Sequence, residues 1–141
     1  MKHAQNPKIM EILGITHIVN ATKTVANAFE PSITYMRADL TDLESEYIDA
    51  YFDEAYEFIE EALEKNESRV LVHCAFGVSR SASLVIMYLM KYFQVSYDEA
   101  FAHTKACREM IDPNEGFKNQ MMKFEKNSRM VRSSSSDFIF S

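Results

Sequence analysis

The stretch RVLVHCAFGVSRSASLVIMYLM, residues 69–90, decides the fold, because it joins a strand pattern to a helix pattern through a short polar loop. The β-branched run of residues 69–73 is typical of a buried strand. Residues 79–92 are mostly apolar and predict a central helix. A strand that leads into a helix is the repeating unit of α/β proteins. The stretch therefore predicts an α/β fold with a functional loop between the two elements.

The rest of the chain continues the alternation of strand and helix. Two further buried strands are predicted over residues 15–21 and 33–38. Further helices are predicted over residues 7–13, 47–65, 97–110 and 115–126. The predicted architecture is a central, mostly parallel sheet of about four strands flanked by helices.

Length and composition fit one folded domain. The chain has 141 residues, of which 47% are hydrophobic and 26% charged. Residues 1–128 are expected to form this domain. Residues 129–141, which include four consecutive serines, are expected to form a flexible tail.

The net charge of -6 argues against nucleic acid and against an anionic membrane as partner. Without a secretory signal, cytoplasmic localisation is expected, with the nucleus as an alternative.

The loop HCAFGVSRS, residues 73–81, combines groups that bind phosphate. Backbone N–H groups of a curled loop and of the following helix can point at one centre and attract an anion. Gly77 lets the backbone turn, and Arg80 can donate two hydrogen bonds to a tetrahedral phosphate. The same field stabilises a thiolate at Cys74, which lowers its pKa and makes it nucleophilic.

The spacing of Cys74, five residues, Arg80 and then Ser81 resembles the signature of the cysteine-dependent protein tyrosine phosphatase superfamily. The segments GITHIVN, AYF, VLVHC and PNEGF narrow the resemblance to small, atypical dual-specificity phosphatases, over about residues 4–126. It implies their fold, although the strand that normally opens such domains has no counterpart here. It also implies hydrolysis of phosphotyrosine and phosphoserine or phosphothreonine in proteins, through a phosphocysteine intermediate and without metal or cofactor.

The resemblance gives each residue of the loop a role. Cys74 is implied to be the nucleophile, and Arg80 to hold the phosphoryl group and stabilise its charge. Ser81 is implied to stabilise the thiolate when the intermediate breaks down. His73 is expected to orient and acidify the nucleophile, and Asn114 to brace the loop backbone. The loop residues expected around the phosphate are Ala75, Phe76, Gly77, Val78 and Ser79.

A general acid is also required, because the oxygen of a serine, threonine or tyrosine leaves poorly without a proton. The register between Tyr35 and Tyr51 places Asp42 in this role, with Asp39 as the alternative. Arg108 resembles a family position that can engage a second phosphate or acidic group. A plain surface arginine is the alternative for that residue.

Several alternatives stay open at this stage. A phosphate-binding pseudophosphatase or scaffold module without turnover is the second function, although the presence of Cys74 and Asp42 favours an enzyme. Phe76 either shapes the mouth of the site or packs beneath the loop. Cys107 is expected to be half-buried, and its functional alternative is a disulfide partner for oxidised Cys74.

The expected partner is a phosphorylated protein. The absence of an opening strand further predicts self-association through an exposed sheet edge, at the strand of residues 15–21 or at its neighbour. The histidines show no metal-ligand spacing, so no metal site is expected.

Overall fold

The computed structural model describes the backbone of residues 3–140 and the side chains of residues 4–128. Within this range, one parallel sheet is surrounded by helices. Its strands are β1 His17–Asn20, β2 Thr34–Arg37 and β3 Val70–His73. The helices are α1 Pro7–Leu13, α2 Phe52–Leu63, α3 Arg80–Phe93, α4 Tyr97–Cys107 and α5 Glu115–Phe140, with short 3-10 helices at His3–Gln5 and Ile48–Tyr51.

The sheet has the order β2-β1-β3, so β1 is the central strand. In β1, His17 lies opposite Thr34 on one side and opposite Val70 on the other, and both pairings are parallel. The α/β class and the parallel sheet are confirmed, with three strands in the described residues where about four were expected. The prediction that the strand over residues 15–21 lies near an exposed edge is wrong, because β1 is the central strand. Its neighbour β3 lies at an edge of the sheet formed by the described residues.

The two faces of the sheet pack against different layers. In β1, Val19 faces a core that includes side chains from α2, α3 and α5, whereas Ile18 faces the smaller cluster with Met10 of α1. Val19 and Ile18 are both fully buried. Alternate residues of a strand point to opposite faces, so the burial of all four β1 residues shows that both faces of the sheet are covered at this strand.

The ends of α1 follow the predicted capping signals, whereas α2, α4 and α5 differ from the predicted lengths. Helix α2 covers Phe52–Leu63, where a helix over residues 47–65 was expected, because a 3-10 helix occupies Ile48–Tyr51. Asn6 accepts hydrogen bonds from the N–H groups of Lys8 and Ile9, and Gly14 ends α1 in the left-handed conformation. Helix α4 ends at Cys107, before the expected residue 110, because Arg108 turns to an extended conformation. Helix α5 continues to Phe140, beyond the expected end at residue 126.

The tail prediction concerns side chains that lie outside the described residues, so a domain of residues 1–128 with a flexible tail stays a prediction. None of the helices in the described part of the chain has the length and apolar composition needed to cross a membrane.

Candidate active site

The loop between β3 and α3 closes around the sulfur of Cys74. This residue is only 2% exposed. The backbone N–H of Gly77 donates to its Sγ at 3.2 Å, and the Oγ of Ser81 lies 3.2 Å from the same atom. Gly77 has a φ of 69°, so the turn expected at this glycine is confirmed. The sulfur therefore lies at the base of a curled loop, at the start of α3.

Two opposing effects act on the Cys74 thiol. Burial is the largest single influence and by itself would raise its pKa. Hydrogen bonds from the Ser81 side chain and backbone and from Gly77, together with the positive charge of Arg80, outweigh burial and lower the pKa below that of an ordinary thiol. The loop thus stabilises a thiolate, which is the nucleophilic form of cysteine.

Arg80 links the loop to the segment that follows β2. Its Nη1 donates to the carbonyl oxygen of Leu40 at 3.0 Å. Its Nε is buried and has no hydrogen-bond partner among the described residues. An unpaired buried donor is costly, and an anionic oxygen in the loop would supply the acceptor that this donor lacks.

The segment after β2 holds Asp42 close to this loop. The Oδ1 of Asp42 accepts a hydrogen bond of 2.9 Å from the Nδ2 of Asn114. The segment is closed by Glu46, which accepts from the backbone and the hydroxyl of Thr41 and whose pKa is lowered mainly by that hydroxyl. Asp39 is exposed and makes no hydrogen bond among the described residues. The geometry therefore joins Asp42, rather than Asp39, to the loop network.

Asn114 makes contacts that differ from those expected. Its side-chain amide holds Asp42, whereas the loop is braced by its backbone N–H, which donates to the Oγ of Ser79 at 2.9 Å. The N–H of Asp112 adds a second brace by donating to the carbonyl of Val78 at 2.8 Å. The start of α5 thus contacts both the loop and the Asp42 segment.

Gly116 adds a close backbone contact between α5 and the segment that carries Asp42. A Cβ atom at this position would collide with the carbonyl group of Glu44, so the backbones of α5 and of the Asp42 segment lie in direct contact. The sequence analysis missed this contact, as well as the bonds of Leu40 and Glu46. A glycine in the first turn of a helix was the available signal, since glycine there lowers helix stability unless a close approach requires it.

Arg108 packs over the loop at Gly77. Its Nε donates to the carbonyl of Gly77 at 3.2 Å, and a Cβ built on Gly77 would lie 2.5 Å from its Nη2. The residue is exposed, so a surface position is correct, but the guanidinium also contacts the phosphate loop. Gly77 is thus required both by its positive φ and by the space that Arg108 occupies.

His73 precedes the nucleophile and is buried. Burial is the main cause of its lowered pKa, and its imidazole is therefore neutral near pH 7. Its Nδ1 has no hydrogen-bond partner among the described residues. His73 is the last residue of β3 and directly precedes Cys74, and its expected role in orienting and acidifying the nucleophile stays a prediction.

Phe76 and Cys107 are both exposed to solvent. The ring of Phe76 is 78% exposed, so it lies at the mouth of the site and not beneath the loop. Cys107 was expected to be half-buried, and this is wrong, because it is the last residue of α4 and is exposed. It lines a cavity that also reaches Cys74.

Comparison with known proteins places the chain in a family. The family model for "Dual specificity phosphatase, catalytic domain" matches residues 1–127. The chain belongs to this family. Human dual specificity protein phosphatase 14 is 42% identical over 123 residues, which cover 87% of this chain and 62% of that protein. Mouse dual specificity protein phosphatase 18 is 38% identical over 122 residues, covering 86% of this chain and 64% of that protein.

The chain spans only part of these relatives, down to 33% of the length of dual specificity protein phosphatase 1-A from Xenopus laevis. Solved structures agree with the fold. Human DUSP28 superposes with a TM-score of 0.85 at 26% identity, covering 91% of this chain and 86% of that one. The fold of the chain is that of the dual-specificity phosphatases.

Proposed function

We propose that the protein is a dual-specificity phosphatase that hydrolyses phosphotyrosine and phosphoserine or phosphothreonine in proteins. The observation that carries the proposal is the Cys74 sulfur, which is buried at the base of an N–H-lined loop and carries a lowered pKa. A thiolate held at the centre of an anion-binding loop is suited to attack a bound phosphate. Membership of the dual specificity phosphatase family supports the same activity.

In the proposed first step, the substrate phosphate binds within the loop of Ala75, Phe76, Gly77, Val78 and Ser79, and Arg80 contacts its oxygens. The Cys74 thiolate attacks phosphorus, and the bond from phosphorus to the substrate oxygen breaks. Asp42 gives its carboxyl proton to that oxygen, which leaves as a neutral hydroxyl. Backbone N–H groups and Arg80 stabilise the charge that spreads over the equatorial oxygens.

In the second step, water attacks the phosphocysteine. The Asp42 carboxylate takes a proton from this water, and the Cys74 thiolate leaves with inorganic phosphate as the other product. Ser81 supports this step, because its hydroxyl lies 3.2 Å from the sulfur and can donate to the thiolate as it forms. The carboxyl group and the sulfur both return to their initial states.

Three residues support this chemistry without touching phosphorus. Asn114 positions Asp42 through its amide. His73 is proposed to orient the Cys74 nucleophile and to acidify it. Arg108 is proposed to attract a second phosphate or an acidic group of the substrate, since it is exposed beside the loop. Its contact with Gly77 further makes it a brace of the loop backbone.

The test of the function is hydrolysis of a small aryl phosphate and of singly and doubly phosphorylated peptides. We expect Cys74→Ser to abolish turnover while orthovanadate or phosphate still binds, because a serine hydroxyl is a weaker nucleophile and the backbone cradle is unchanged. Arg80→Lys should lower both affinity and rate, since an ammonium cannot reproduce the fork of the guanidinium. Turnover by Cys74→Ser equal to that of the native protein would overturn the proposal.

A phosphate-binding pseudophosphatase is the second candidate. One structural neighbour, the human tyrosine phosphatase-like serine/threonine/tyrosine-interacting protein, superposes with a TM-score of 0.81 at 32% identity, covering 89% of this chain and 87% of that one. Its name describes a phosphatase-like protein. The same assay separates the two functions, because a pseudophosphatase binds phosphate with no turnover above the Cys74→Ser blank.

We further propose a role in signalling, in the cytoplasm and with the nucleus as an alternative, with phosphorylated proteins rather than nucleic acid or membranes as partners. The net charge of -6 supports the exclusion of anionic polymers and lipid surfaces. Self-association through the sheet edge stays a prediction, which sedimentation equilibrium over a range of concentrations tests.

A further inference from the structure

The carboxylate of Glu46 turns back on the segment that carries Asp42. Its Oε2 accepts two hydrogen bonds from Thr41, one from the backbone N–H at 3.3 Å and one from the hydroxyl. Thr41 directly precedes Asp42, the residue proposed as the general acid. The side chain of Glu46 therefore fixes the residue from which the backbone leads into Asp42.

The backbone of Glu46 is in turn anchored to α5. The Nε2 of Gln120 donates to the Glu46 carbonyl at 2.9 Å, and the Oε1 of the same side chain accepts from the N–H of Asp49 at 3.0 Å. Between these two bonds, the side chain of Ile48 is fully buried. A helix of the core thus holds the backbone of Glu46, so its carboxylate has a fixed position from which to bind Thr41.

The residues between Thr41 and Glu46 have little other support. Residues 42–45 are all exposed, and within residues 4–128 the side-chain hydrogen bond of Asp42 is the one with Asn114. On the other side of Thr41, Leu40 is fully buried and its carbonyl accepts from Arg80. A segment with few buried contacts opens easily unless its ends are tied together. The bonds from Thr41 to Glu46 supply that tie.

We propose that Glu46 is a positioning residue for the general acid, which it holds in place by binding Thr41. This role rests on the proposed phosphatase function, because Glu46 acts through Asp42 and does not touch the substrate. The Thr41 hydroxyl is the main cause of the lowered pKa of Glu46, so its carboxylate is ionised at neutral pH and accepts strongly. A proton donor must lie within hydrogen-bond reach of the leaving oxygen, so loss of this tie should slow proton transfer.

The test compares two substrates that differ in their need for a proton. The oxygen of phenyl phosphate leaves poorly without one, whereas that of dinitrophenyl phosphate leaves unaided. We expect Glu46→Ala to lower kcat/KM for phenyl phosphate roughly tenfold, which is part of the usual contribution of a general acid, and for dinitrophenyl phosphate less than about twofold. A merely structural role would lower both values by the same factor.

Two further variants at acidic positions define what Glu46 supplies. Glu46→Gln keeps an oxygen that accepts from Thr41 and should restore most of the activity on phenyl phosphate. Glu44→Ala is the matched control, because it removes the same charge from the same segment. The side chain of Glu44 is exposed and makes no hydrogen bond within residues 4–128. Glu44→Ala should leave the ratio of the two kcat/KM values unchanged.

A double variant tests whether Glu46 acts through Asp42. In an Asp42→Asn background, Glu46→Ala should change kcat/KM for phenyl phosphate less than about twofold, because the group it positions is already lost. Orthovanadate should bind Glu46→Ala as tightly as the native protein, since Glu46 lies outside the phosphate loop. Should Glu46→Ala fail to fold in thermal denaturation, Thr41→Val removes the hydroxyl donor alone and should shift the ratio in the same direction.

Four outcomes with an active native protein would overturn the role of Glu46. These are no change in the ratio for Glu46→Ala, an equal loss on both substrates, the same shift in Glu44→Ala, or an undiminished effect of Glu46→Ala in the Asp42→Asn background. Absence of turnover by the native protein is a different result. It would overturn the phosphatase function itself, and the positioning role with it.

Discussion

Cys74 shows how single contacts decide chemistry at the scale of one residue. Its burial opposes ionisation, and the hydrogen bonds of Ser81 and Gly77 reverse that effect. The sequence contained enough information to place these groups together, because residues 73–81 are contiguous and their roles follow from one loop. The partner of Arg80 could not be predicted, since the Leu40 carbonyl comes from a segment forty residues away.

The Ser81 hydroxyl is predicted to hold the Cys74 pKa down. Ser81→Ala removes a donor that favours the thiolate, so the pKa of Cys74 should rise. Because the reactive form is then lost at a higher pH, the acid limb of alkylation by iodoacetamide should move upward in pH. The check is the rate of alkylation against pH for the native protein, for Ser81→Ala and for the control variant Ser83→Ala. Ser83 lies in the same helix, but its hydroxyl donates to the Ser79 carbonyl instead. An unchanged acid limb in Ser81→Ala would contradict the assigned role.

Substitution of Asp42 and substitution of Asp39 are predicted to have sharply different effects on kcat. Asp42→Asn should lower kcat by roughly 10²–10⁴, the usual contribution of a general acid. Asp39→Asn is the matched control and should have little effect, since Asp39 lacks a bond to the loop network. The loss should shrink for aryl phosphates whose leaving group is already acidic. The reverse ranking of the two variants would move the general acid to Asp39.

At the scale of elements, the start of α5 fixes the Asp42 segment relative to the loop. Gly116 touches the backbone of Glu44, and Asn114 bonds to Asp42. We predict that Gly116→Ala destabilises the protein by about 2 kcal/mol, the usual cost of overpacking, and lowers kcat with little change in KM for an aryl phosphate. Thermal denaturation and steady-state kinetics check this. Gly14→Ala is a useful comparison, because a Cβ there meets no neighbouring atom and only the positive φ is strained.

Most elements were predictable because each carries a local signal. The Asn6 cap, the Gly14 stop and the apolar face of α2 depend on neighbouring residues alone. The order of the strands could not be predicted, because β1 and β3 are similar short runs and tertiary packing decides their positions in the sheet. The end of α4 also escaped prediction. Arg108 adopts an extended conformation there, and its side chain contacts Gly77, which lies 31 residues earlier in the chain.

At the scale of the whole molecule, residues 1–128 are predicted to be sufficient for folding and activity. Phe117 and Met121 are the fully buried residues that α5 contributes to the core of residues 4–128. Deletion of residues 129–141 should therefore leave the thermal midpoint within about 2 °C and kcat/KM unchanged. A truncation to residue 116, which removes Phe117 and Met121, is the matched control and should unfold the protein. A large loss of stability on deleting residues 129–141 alone would place part of the core in that segment.

Because Phe76 faces outward, a tryptophan at this position would serve as a fluorescent reporter of substrate binding. The chain contains no tryptophan, so Phe76→Trp would introduce a single indole at the mouth of the phosphate loop, where the native ring is 78% exposed. Its fluorescence would start near that of a solvated indole and shift to the blue when a phosphopeptide covers it. In a Cys74→Ser background, this signal would report substrate docking as a titration without turnover. A single side chain at the rim could thus make recognition measurable apart from hydrolysis.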